Sequence, residues 1–193
     1  MKAPAIVLAT CLFACSTSVF AESEGPSFSI GATGVKTYFD ESWDFCIFEC
    51  GFQPNLDDDT DAGFELFAKV QYSPLWTWKI GYMDQGEFSF KGRNSNEFVT
   101  GTGDVSIAYA AWAPQWLVTE NFSLTAGLGL GIQDIDLDVQ GGEADIDDST
   151  VFYSSLGAEY RLTEQFAMHA EAGYSLGDDI DVGWIGLGGS YFF

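Results

Sequence analysis

Basic residues are scarce: 7 Lys plus Arg stand against 29 Asp plus Glu in 193 residues, for a formal charge of −22. So acidic a chain repels phosphate, which excludes nucleic acid as a partner. Histidine occurs once, at His169, and proline only 5 times. Long apolar runs are missing too. Past residue 21, no segment offers the ~18 consecutive apolar residues that a spanning helix needs. Helical periodicity is equally absent. What is present is 47% hydrophobic residues, with 22 Gly, 17 Phe, 8 Tyr and 6 Trp. That is too much apolar and aromatic content for a disordered acidic chain, and the length fits one domain.

Residues 1–21 read as a cleaved secretory signal. Lys2 supplies the positive start, Ala3 to Ala14 is largely apolar, and Val19-Phe20-Ala21 ends on small residues at the cleavage-determining positions. Cys11, Cys15, Ser16, Thr17 and Ser18 interrupt the stretch too heavily for a spanning helix. Leu12-Phe13-Ala14-Cys15 departs from a lipoprotein box at the bulky Phe13. Cleavage after Ala21 leaves 22–193 as the mature domain and removes two of the 4 cysteines. The remaining pair, Cys46 and Cys50, is expected as a disulfide in an exported chain. Zinc would need two further ligands, and His169 is far away in sequence.

Alternation at period two takes the place of helical periodicity. In Phe166 to Leu176, one face carries Phe166, Met168, Ala170, Ala172, Tyr174 and Leu176, and the other Ala167, His169, Glu171, Gly173 and Ser175. Phe64 to Tyr72, Trp76 to Met83, Phe122 to Ile132 and Phe152 to Leu162 alternate in the same way, and Phe28 to Tyr38, Val105 to Trp112 and Val182 to Phe193 less cleanly. These segments predict an all-β, eight-stranded antiparallel up-and-down transmembrane β-barrel.

The connections alternate in length. Ser73-Pro74-Leu75 and Thr163-Glu164-Gln165 are tight and Ala113 to Asn121 is intermediate. Longer loops are expected over Phe39 to Asp61, Asp84 to Gly103 and Gln133 to Ser149, with a short one at Gly177 to Asp181. Short turns on one side and long loops on the other is the outer-membrane arrangement. Aromatics mark the tight-turn ends: Phe28, Tyr72, Trp76, Trp112, Phe122, Tyr160, Phe166 and Phe193. All but Trp112 share the lipid-facing parity of their strand, and Trp112 would need a bulge near Ala110-Ala111 to join them. Core packing in a soluble sandwich gives no reason for aromatics at one end of nearly every strand.

The last nine residues, Ile185-Gly-Leu187-Gly-Gly189-Ser-Tyr191-Phe192-Phe193, end on Phe with Leu187 and Tyr191 at alternate positions before it. This resembles the signal that outer-membrane proteins present to the barrel assembly machinery. Pro114 to Gly131, where Glu120-Asn121-Phe122-Ser123-Leu124 enters a Gly-rich strand, resembles the OmpA-like transmembrane domain, as does Gly157-Ala-Glu159-Tyr160-Arg-Leu-Thr163. The likeness covers the mature chain in strand pattern and these stretches in residues. It implies the OmpA/OmpX-like group: small monomeric barrels of the bacterial outer membrane, seated among lipid and lipopolysaccharide, with loops extracellular and both termini periplasmic. Members are structural, adhesive or narrowly conducting, so the resemblance implies a location and leaves the activity open.

The inward parity collects Glu65, Lys69, Lys79, Glu159, Arg161, His169 and Glu171. Side chains just fill an eight-stranded interior, so these charges are expected to pair into a plug. That favours a structural or surface-interacting barrel without catalytic residues or cofactor, and the alternative is a narrow channel whose paired charges exchange partners. Enzyme chemistry fails on geometry, because His169 and Ser175 lie about 20 Å apart on an extended strand. The acidic loops, with Asp57-Asp58-Asp59-Thr60-Asp61 and Asp134, Asp136 and Asp138, offer oxygen for divalent cations. No EF-hand pattern is present, and a solvated acidic surface is the plainer reading.

Overall fold

The computed structural model describes residues 25–39, 54–58, 60–94, 97–139, 142–177 and 180–193. They form ten strands: β1 (Ser27–Phe39), β2 (Pro54–Asp58), β3 (Thr60–Ser73), β4 (Trp76–Asn94), β5 (Glu97–Trp112), β6 (Gln115–Leu117), β7 (Phe122–Val139), β8 (Gly142–Arg161), β9 (Phe166–Leu176) and β10 (Val182–Phe192). Eight of them are staves of one closed antiparallel barrel, each paired to the next in up-and-down order. β1 closes the ring by pairing with both β3 and β10. The short β2 and β6 add to opposite ends, on β4 and β7. Closure leaves no sheet edge among the staves, which lipid demands because an unsatisfied backbone group there costs several kcal/mol.

The barrel is inside-out relative to a soluble protein. Its outer surface is apolar: Leu187 is 72% exposed, Leu156 70% and Trp76 63%. The expected lipid-facing residues of β3, β4, β7, β8 and β9 all lie on this surface. A second aromatic row, Tyr38, Phe64, Tyr82 and Phe152, stands exposed toward the other rim. On β1, Phe28 and Tyr38 are ten residues apart, about 25 Å along the barrel axis at a 40° tilt, matching the apolar band of an outer-membrane barrel.

Inside, large aromatics lie over glycines of the neighbouring strand. Phe67 pairs in register with Gly31, Tyr109 with Gly81, Trp184 with Gly173, Phe88 with Gly103 and Phe90 with Gly101. A methyl group added at any of these glycines would sit within 2.3–2.6 Å of the nearest atom of the aromatic side chain it faces. These five glycines therefore make room for aromatics in a bore otherwise too narrow for them.

Two of the expected loops are strand. β4 and β5 run 19 and 16 residues, and β7 and β8 run 18 and 20, so the ladder continues through most of Asp84 to Gly103 and Gln133 to Ser149. About ten residues span the membrane, so these two hairpins rise beyond it. On β4 a bulge hides the continuation from a period-two reading. In β4 the register shifts between Asp84 and Gly86, so Gln85 is buried on one parity and Phe88 and Phe90 on the other. Trp112 is also corrected. The register runs unbroken from Val105 to Trp112, with Ile107, Tyr109 and Ala111 buried, so Trp112 faces outward opposite Trp78 without a bulge. Cys46, Cys50 and residues 1–21 lie outside the described residues.

Candidate functional site in the barrel lumen

The lumen draws its charge from alternate positions that the pleat turns inward. Glu65 and Lys69 come from β3, Lys79 from β4, Glu159 from β8, and His169 and Glu171 from β9. At the centre the Lys79 ammonium lies 2.7 Å from Glu65 Oε1 and 2.8 Å from Glu171 Oε2, with Lys79 2% and Glu65 0% exposed. Thr33 donates to Glu65 Oε2 at 2.8 Å, Tyr109 donates to Glu65 Oε1, and Tyr153 donates to Glu171 Oε1 at 3.2 Å. Every carboxylate oxygen of the two acids therefore has a donor. Lys79 also lies 4.6 Å from the Phe67 ring centroid and 5.6 Å from that of Tyr109.

The rings of Tyr109 and Tyr153 stack across the bore at 4.2 Å and 5°, and Trp184 continues the stack 6.0 Å from Tyr153. Nearer the turn end, Lys69 meets Glu159 Oε2 at 3.2 Å, and Gln115 from β6 donates to Glu159 Oε1 at 3.2 Å. Above Trp184 come Gln85, Gln133 and Ser175, and then buried Phe39, Phe88, Phe90, Ile135, Leu137 and Ile180 at the hairpin end.

His169 is tied to the central group through Thr33 and stands opposite Glu159 in the β8–β9 ladder. Its Nε2 lies 2.9 Å from Thr33 Oγ1 and its Nδ1 3.3 Å from Ser190 Oγ. The Thr33 hydroxyl has one hydrogen and gives it to Glu65, so it accepts from His169 and Nε2 carries a proton. The Ser175 hydroxyl donates to the Val182 carbonyl at 3.3 Å. The ring and this hydroxyl face different partners, which removes the hydrolase geometry.

Of the seven expected lumen charges, Glu65, Lys69, Lys79, Glu159, His169 and Glu171 converge. Arg161 does not. It shares their parity, but it is the last residue of β8, exposed at the turn-end mouth with its guanidinium 4.5 Å from the Phe192 ring centroid. Leu187 is exposed on the outer surface, and Tyr191 sits edge-on between Phe166 and Phe193, each at 5.0 Å. Sequence reasoning missed Thr33, Tyr109, Trp184 and Gln85. Counting back by twos from Phe193, which faces outward, would have placed Trp184 inside. Gln85 lies two residues past Met83 on the same inward parity, so one more step of the alternation would have placed it inside; it was hidden by falling in an expected loop.

A family model for the outer membrane protein β-barrel domain matches residues 7–193. The chain belongs to that family. Solved structures similar to it include Ail, the attachment invasion locus protein of Yersinia pestis, in complex with the heparin analogue sucrose octasulfate. It is 21% identical, with 89% of this chain and 100% of that one covered and a TM-score of 0.54. Neisserial surface protein A follows at 14% identity, with 88% and 100% covered and a TM-score of 0.52. OprG of Pseudomonas aeruginosa is 15% identical, with 88% and 96% covered and a TM-score of 0.51. Search of the curated proteins returned no match. At these identities the likeness shows the fold, that of outer membrane barrels.

Proposed function

We propose that this chain is a monomeric structural or surface-interacting barrel, without catalytic residues, whose lumen is closed by its own side chains. The buried Lys79, held between Glu65 and Glu171 beneath stacked Tyr109 and Tyr153, carries the reading. Moving an ion past it would separate charges that have no water to replace their partners. The orientation follows the family habit. The long β4–β5 and β7–β8 hairpins are extracellular, the tight turns and both termini are periplasmic, and the outer surface meets lipid and lipopolysaccharide. The 1–21 segment acts as the export signal, and Leu187, Tyr191 and Phe193 form the signal read by the assembly machinery. The exposed carboxylates of Glu87, Asp104, Asp136 and Asp138 attract divalent or other cationic partners rather than a polysulfate like that bound to Ail.

The second reading is a narrow channel. It draws on the fact that Lys79 touches two acids, so a partner exchange could open a path. Single-channel recording in planar bilayers separates the two. The closed barrel is silent, whereas discrete openings above the bilayer baseline would overturn it in favour of the channel.

A further inference from the structure

Between the tyrosine–tryptophan stack and the apolar hairpin end, the lumen contains hydrogen-bonding atoms that no protein group satisfies. Gln133 is 1% exposed, and both its Nε2 and its Oε1 lack a partner. Gln85 is 0% exposed. Its Nε2 donates to Ser175 Oγ at 3.3 Å, while its Oε1 is unpartnered. Ser149 Oγ, opposite Gln133 in the β7–β8 ladder, is buried and unpartnered too.

These groups converge on the outer end of β9. Gln85 reaches Ser175 from β4. Gln133 arrives from β7: a Cβ built at Gly177, two residues past Ser175, would lie 3.0 Å from Gln133 Oε1 and 2.9 Å from Val151 Cγ1. Two acceptors, one NH2 donor and one hydroxyl thus face a single region. Buried polar atoms in native proteins are paired with protein or with ordered water, and an amide with both ends unpaired is a rare exception.

We propose that Gln85, Gln133 and Ser149 hold a sealed hydration site of one or more internal waters in the outer half of the lumen. The chemistry selects a neutral molecule that both donates and accepts. The unpartnered atoms are those of two neutral amides and a hydroxyl, and the charged groups below are already engaged with one another. The buried side chains beside these groups are apolar or aromatic: Met83 Sδ lies 3.9 Å from Gln85 Nε2, Tyr153 stands opposite Ser175 in the β8–β9 ladder, and Ile135 follows Gln133 on the same face. Gly177 keeps it from being filled by a methyl group.

The inference relies on the closed-lumen reading only for the sealing of the site, and the two can fail separately. The test is water–amide cross-relaxation by NMR on the full mature chain in lipid nanodiscs, with the Gln side-chain amides assigned. Expected are cross-peaks from the Gln133 and Gln85 NH2 groups to water, with the sign of a long-lived bound molecule. In Gly177→Ala those peaks weaken or vanish, while the barrel keeps its heat-modifiable mobility. A direct Gln85–Gln133 contact without water peaks would overturn the proposal, as would Gln85 cross-peaks unchanged in both Gly177→Ala and Gln133→Met. Bound-water peaks in a protein that also conducts would keep the hydration site and defeat the closed lumen.

Discussion

Lys79 and Arg161 make a controlled pair at the scale of single residues. Both come from inward-parity positions, yet one is buried between two carboxylates and the other is exposed at the mouth. Removing Lys79 strands Glu65 and Glu171 with no counter-charge, so Lys79→Ala should cost about 3–5 kcal/mol. Arg161→Ala gives up only a ring contact in solvent and should stay within about 0.5 kcal/mol of the parent. Urea unfolding from lipid vesicles measures both. Equal midpoints would mean that water reaches Lys79, and the closed lumen would fall. Lys79→Met is the informative companion. It keeps the volume but leaves the acids unpaired, so it should resemble the alanine variant if charge rather than packing dominates.

Single elements depart furthest from simple alternation in the β4–β5 and β7–β8 hairpins. The β4 bulge turns at Gly86, whose φ is +83°, where the backbone amide donates to Asp84 Oδ1 at 2.9 Å. A Cβ there would meet Asp61 Oδ2 at 2.6 Å, the same carboxylate oxygen that accepts from the Glu87 amide at 2.7 Å. Gly86→Ala should therefore destabilise by about 1–3 kcal/mol through backbone strain alone. A neutral result would show that the bulge relaxes freely. Beyond it, Glu87, Asp104 and Asp136 stand opposite one another in a cross-strand row. Like charges so placed repel, so Asp104→Asn should stabilise by about 0.2–1 kcal/mol at low ionic strength. The gain should shrink in ~1 M salt, where the screening length is about 3 Å. A gain independent of salt would rule out repulsion as its source.

The whole molecule shows why the aqueous rules of burial must be inverted here. The apolar surface lies outside because lipid is the solvent, and the interior is polar because the pleat sends alternate residues there. The exported protein is expected to begin at Glu22 and to carry a Cys46–Cys50 disulfide closing a very small loop. Intact mass checks the first. Alkylation should find two thiols only after reduction, and free labelling of the native protein would exclude the bridge. So small a loop contributes little, at the bottom of the roughly 0–5 kcal/mol that disulfides span.

Some of this was fixed by the order of residues. Alternation at period two, aromatics at strand ends and turns of alternating length are local properties, and they carried the closed eight-stranded barrel and the inward placement of Glu65, Lys69, Lys79, Glu159, His169 and Glu171. Pairing is not local. Which acid Lys79 meets depends on the stagger between β3, β4 and β9, strands far apart in sequence. The bulge at Asp84/Gly86 changes which side chains of β4 face inward beyond it, so the upper part of that strand could be read only from the ladder itself. Arg161 shows the same limit at a strand end. Parity gives a side chain its face, but its depth in the barrel decides whether it is buried, and only the register of all eight staves sets that depth.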